Sequence, residues 1–127
     1  MPDSPTYEIR VEARSAYLQD RSDPARNQYE FAYTINITNT GSVPAQLISR
    51  HWVITDANGN VQEVKGLGVV GQQPLLKPGE SFEYTSGASL PTAMGTMRGS
   101  YQMVGEDGHA FEAPIRPFTL SIPRVLH

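Results

Sequence analysis

A chain of 127 residues with a formal net charge of −3 is sized for one domain, residues 1–127, built around a single core. It is too acidic for nonspecific binding to nucleic acid or an anionic membrane surface, which needs a basic face. The lack of cysteine excludes a disulfide framework, a thiol nucleophile and any thiolate-held metal.

Alternation with period two runs through the sequence, and the 11 glycines and 10 prolines fall between the alternating segments, as they do in proteins made of short strands and turns. The first segment puts Tyr7, Ile9, Val11, Ala13 and Ser15 on one face, with Glu8, Arg10, Glu12 and Arg14 on a solvated face. Asp20 to Arg26 is a turn cluster. Tyr29, Phe31, Tyr33, Ile35 and Ile37 then define the strongest strand, rich in aromatic and β-branched residues. A third strand is predicted over 46–55. In it Ile48, Trp52 and Ile54 share a face with Arg50, while Leu47 and Val53 lie opposite, the pattern of a central strand covered on both sides at one end. Asp56-Ala-Asn-Gly-Asn60 is a hairpin turn in which Asn58-Gly59 supplies positive φ angles, and a short strand over 61–64 follows.

Further strands are expected over 81–86 (with Phe82 and Tyr84), 95–105 and 109–115. Pro117 interrupts the last, and 118–122 resumes the alternation. Seven to nine strands with frequent turns indicate an all-β fold, an antiparallel sandwich of the immunoglobulin or fibronectin type III kind. Its expected core is Trp52, Phe31, Tyr33, Ile35, Ile54, Phe82 and Tyr101. The N-terminal residues, Met1 to Glu8, are polar and acidic where a signal peptide is basic and then apolar. No apolar run approaches the ~20 residues that span a bilayer. A cytoplasmic location away from membranes is expected.

Candidate sites are few. Gly66, Gly68 and Gly71 have the G-x-G-x-x-G spacing of a phosphate loop, with Lys65 and Arg50 nearby. That loop gains affinity from a helix leaving it, so that N–H groups converge on the phosphates. Here Pro74 and Pro78 follow, and a helix is forbidden. The segment Gly66, Gly68, Val69, Val70, Gly71, Gln72, Gln73 therefore reads as a glycine-rich connection between strands, as a recognition loop for a protein partner, or as an anion site. Nucleotide binding is expected to be weak or absent. His51, His109 and His127 show no spacing that would build a metal site, and Asp56, Glu106 and Asp107 sit in turns, where carboxylates serve turn geometry. No nucleophile elbow is present. No metal, no cofactor and no catalytic residue are expected.

The block His51-Trp-Val-Ile-Thr-Asp-Ala-Asn-Gly59, the stretch Val64 to Glu80, Tyr84-Thr-Ser-Gly87 and Met97-Arg-Gly-Ser-Tyr-Gln-Met103 together resemble the ApaG family, over roughly Tyr7 to Leu120. The resemblance implies a fibronectin type III sandwich. It implies a protein-interaction role, because similar domains occur in eukaryotic F-box proteins and in a polymerase-delta-interacting protein. Bacterial members are also linked, by phenotype and gene neighbourhood, to cobalt and magnesium efflux and to the hydrolase of diadenosine tetraphosphate. The expected function is thus a non-catalytic protein-binding module, monomeric or weakly dimeric, with a partner protein yet to be identified. The alternative is an accessory role in cobalt and magnesium homeostasis through indirect or weak direct cation binding.

Overall fold

The computed structural model describes residues 4–123. Among the described residues eight strands form in chain order: β1 (Ile9–Tyr17), β2 (Tyr29–Asn39), β3 (Ala45–Asp56), β4 (Val61–Leu67), β5 (Leu75–Leu76), β6 (Ser81–Leu90), β7 (Met94–Gly105) and β8 (Ala110–Ser121). Two antiparallel sheets face each other, one ordered β1-β2-β6 and the other β4-β3-β7-β8, with β5 lying beside the start of β3. The expected all-β sandwich is what forms. The turn cluster after β1 makes two short 3₁₀ turns, Gln19–Arg21 and Pro24–Arg26. Among the described residues no helix is long and apolar enough to cross a membrane.

The core sits between the sheets. Phe31, Tyr33, Ile35 and Ile37, alternate residues of β2, point inward from one side; Trp52, Ile54, Met97 and Tyr101 meet them from the other. Trp52 is the central plug. Its ring lies edge-on to Tyr33, at 5.4 Å between centroids, and to Phe118 and Tyr101, at 6.0 and 6.3 Å, arrangements that suit the ring quadrupoles. Phe82 was expected here, but it is only half-buried at the periphery, and Tyr84 two residues on is the inward-facing aromatic. The outer row of β1 is solvated as expected. Its ion pairs, Arg10 with Glu12 and Arg14 with Glu83, are exposed and worth little.

Two bulges change the predicted faces. The β3–β7 register slips between Leu47 and Ser49, so the extra residue, Ile48, reverses the alternation. Leu47 is consequently buried in the same core as Trp52 and Ile54, not on the opposite face, where Val53 remains and is itself buried. A second slip, between Met97 and Gly99, absorbs Pro117. The last two predicted segments are one continuous strand, β8, at a sheet edge where a residue without an N–H is tolerated. In the β3–β4 turn only Gly59 has positive φ, +84°. Asn58 does not share it, because the Asp56 carboxylate accepts from the N–H groups of Asn58 and Asn60 at 2.8 and 3.0 Å and shapes the turn instead.

Candidate functional site

The glycine segment begins as the end of β4 and carries the chain along the same side of β3 to β5. It is tightly built. The Val69 and Gln72 backbones exchange hydrogen bonds, N–H to C=O at 2.8 Å and 2.9 Å in the two directions. This closes a two-residue hairpin loop at Val70-Gly71, with φ of +43° and +78°. Positive φ at both central positions is the type I′ arrangement, which normally selects Asn-Gly. Gly71 suits it. Val70 does not, since a β-branched residue in this region is a steric outlier.

Each remaining element of the glycine spacing has a local cause. A Cβ on Gly68 would lie 2.3 Å from the Gln72 carbonyl oxygen, and φ there is +64°, so no other residue fits without rebuilding the loop. Gly66 makes room for Arg50, whose guanidinium lies where the Gly66 side chain would be, 2.9 Å from the position of its Cβ. Arg50 Nη1 then donates to the carbonyls of Leu67 and Gly68 at 3.0 and 2.8 Å. Gln73 completes the anchorage: its Nε2 donates to Ile48 O at 2.9 Å, and its carbonyl accepts from Gln46 Nε2 at 3.0 Å. The Gly68 N–H donates to Ile48 O at 2.8 Å. Three of the loop amides, those of Gly68, Val69 and Gln72, are thus bonded within the protein and cannot turn to a phosphate. In register Arg50 stands opposite Gly66 and Lys65 opposite His51, and adjacent strand positions place side chains on opposite faces. The two cations do not converge.

The seven candidate residues separate into buried and presented groups. Val69 is completely buried, at 0% exposure, and belongs to the core. Its expected place on an interaction surface is corrected: the hairpin loop that lifts Val70 outward tucks its neighbour into the sandwich. Gly68 is also buried. Val70, Gly71, Gln72 and Gln73 are exposed. Sequence reasoning missed two residues that share their exposure, Leu67 at 75% and Leu75 at 57%, beside Val70 at 53%. The alternation Glu63, Lys65, Leu67 along β4 was the available signal, because it assigns Leu67 to the solvated face.

The other candidates are absorbed by turns. Asp107 accepts from the His109 N–H at 3.1 Å and from the Tyr7 hydroxyl. The Tyr7 hydroxyl and then the His109 amide hold its carboxyl below the usual range. His51 Nε2 is 3.8 Å from Glu63. Among the described residues, which leave out His127, no three His, Asp or Glu side chains cluster closely enough to hold a metal ion.

The family profile of the ApaG domain matches residues 19–105. The chain belongs to the ApaG family. Protein ApaG of Thiobacillus denitrificans is 64% identical over 127 residues, covering all of both chains, and Protein ApaG of Ralstonia nicotianae is 65% identical over 121 residues, 95% of this chain and 98% of that one. Among solved structures, a crystal structure titled as the ApaA protein of Bordetella pertussis superimposes with a TM-score of 0.92 at 62% identity, covering 94% of this chain and 98% of that one. The family resemblance read over roughly Tyr7 to Leu120 is therefore sound.

Proposed function

We propose that this ApaG-family chain is a non-catalytic protein-binding module whose contact surface is the exposed part of the glycine segment. The observation that carries the reading is Val70. Holding a β-branched residue at positive φ costs of order 1–3 kcal/mol, and here the hairpin that needs this φ puts the valine side chain at a solvent-exposed loop tip, where a residue better suited to the turn would close the same bonds without that cost. A strained apolar residue presented by a rigidly anchored loop, with Leu67 and Leu75 exposed in the same segment, has the character of a recognition element on a sandwich scaffold. Arg50 and Gln73 serve as its anchors.

The test is affinity capture from lysate with wild type and two exposed-site variants, Val70→Asp and Leu75→Asp, each checked for native circular dichroism. Loss of the same partner from both variants is expected. Identical partner sets in all three samples would remove the segment from consideration. Direct divalent-cation chemistry has less support, since Asp56 and Asp107 are engaged by turn amides; an effect on cobalt or magnesium handling would run through the bound partner. Nucleotides are expected to bind at best around millimolar, equivalent to only ~4 kcal/mol, because the amides of Gly68, Val69 and Gln72 are internally bonded and Arg50 and Lys65 do not converge. Titration of labelled protein with ATP and diadenosine polyphosphates checks this at the amides of Gly66, Gly68 and Gly71. Saturable shifts at micromolar ligand would overturn it.

A further inference from the structure

β4 is an open sheet edge with an unusual charge pattern. It pairs with β3 on one side only, in unbroken register from Leu67 opposite Ser49 to Val61 opposite Thr55. The Gly68 N–H bonds to Ile48 O, which continues that register by one pair. Hydrogen-bonded pairs alternate along an antiparallel ladder, so Gly66, Val64 and Gln62 direct their backbone groups to β3. Val61, Glu63, Lys65 and Leu67 direct theirs outward. Natural edges are blunted by proline, bulges, coverage or charged side chains, and the only one of these on β4 is the charge pair Glu63 and Lys65. β8 has Pro114, Pro117 and a register slip, and β1 lies against it, with Ser15 Oγ donating to Thr119 O. β4 has neither proline nor slip, and its two end residues are exposed apolar ones, Val61 at 61% and Leu67 at 75%.

We propose that β4 pairs antiparallel with β4 of a second copy of the chain about a two-fold axis at Val64, joining two five-stranded sheets into one. The four outward residues are self-complementary in this register: Glu63 lies opposite the second copy's Lys65, Lys65 opposite its Glu63, and Val61 opposite its Leu67. Val61, Glu63 and Lys65 point their N–H and C=O groups at the partner, as ladder pairing requires, while the Leu67 carbonyl already accepts one bond from Arg50 Nη1 at 3.0 Å and has its second lone pair to offer; cross-strand pairs of opposite charge or of apolar side chains are the favourable kind. Shifting by two residues in total register, the next step that keeps the outward groups facing each other, brings Glu63 onto Glu63 or Lys65 onto Lys65. The pattern therefore selects one register and one closed symmetry, an isologous dimer. β6, the edge of the other sheet, carries Glu83 alone among charged residues and offers no such match. This interface uses the β4 edge and not the Val70 tip, so it stands or falls separately from the proposed recognition role.

Charge exchange tests it. Sedimentation and light scattering of the full chain should show wild type rising from the 14.0 kDa monomer to twice that mass as concentration increases. Glu63→Lys and Lys65→Glu should each remain monomeric over the same range, since each faces two like charges across the axis. Mixed in equal amounts, the two single variants should form a heterodimer, and the double exchange in one chain should restore the homodimer. A Val64→Cys variant, with its thiols adjacent at the axis, should cross-link under oxidation in wild-type background and not in Lys65→Glu. A wild type monomeric throughout, leaving the edge to a strand of another protein, would overturn the proposal; so would a dimer unchanged by either single substitution.

Discussion

Val70 is the residue at which conformation and function pull apart. Its φ of +43° fits asparagine or glycine, and the following Gly71 already completes the preferred type I′ pair. Val70→Asn should therefore raise stability by about 1 kcal/mol, with Val70→Gly gaining less because glycine also enlarges the unfolded ensemble. Urea denaturation checks this as a higher midpoint with an unchanged slope. If the valine is kept for recognition, the same Val70→Asn variant loses partner capture while gaining stability, a trade-off found where strain serves a site. A lower midpoint would mean that the loop holds Val70 by contacts that the asparagine cannot make. Asn39 shows the opposite case, a polar residue placed without conflict. It is buried at the end of β2, its amide donates to the carbonyls of Val43 and Leu76 at 2.9 Å each, and its side-chain oxygen accepts from the Gly41 N–H. Gly41 and Val43 are close by in sequence, but Leu76 comes from β5, 37 residues on, and that part of its role could not be read from its neighbours.

At the level of strands, period-two alternation in β2 was enough to name Phe31, Tyr33, Ile35 and Ile37 as one face, because that strand has no bulge and pairs on both sides. The same rule misplaced Leu47. A bulge is a property of two strands in register, β3 against β7, and a single strand's pattern cannot register the extra residue until its partner is known. Pro117 misled in the same way: a missing N–H reads as a break, yet at the edge and beside a slip it costs the ladder little. The glycine segment was legible in its negative aspect, since Pro74 and Pro78 forbid the helix a phosphate loop needs. Which of its residues are presented was not legible. Val69 and Val70 are chemically identical, and only the hairpin closure from Val69 to Gln72 decides that one enters the core while the other stands at the tip.

Across the whole molecule the two sheets are joined by more than apolar contact. Tyr84 on β6 and Tyr101 on β7 share a hydrogen bond of 2.5 Å in the core, one hydroxyl from each sheet, and each satisfies a polar group that would otherwise be buried unpaired. Burial raises both phenols well above the ordinary tyrosine range; their shared hydrogen bond raises Tyr101 further and opposes the rise at Tyr84, and the Arg50 charge opposes both least of all. In the unfolded chain both titrate near ~10. The unfolded state thus releases protons first as pH rises, while the folded state still holds them. Stability should be unaffected by this pair below about pH 10 and should fall above it, by ~1.4 kcal/mol per pH unit for each tyrosine until the folded-state phenols ionise. Replacing both, in Tyr84→Phe/Tyr101→Phe, removes donor and acceptor together and should leave neutral-pH stability nearly unchanged, whereas Tyr101→Phe alone strands the Tyr84 hydroxyl at a cost of about 1–3 kcal/mol. Denaturation series between pH 8 and pH 12 on the three proteins separate these effects. The double variant should show a visibly shallower alkaline decline than wild type. Parallel declines in the two would mean that these tyrosines are not what couples the sheets to pH.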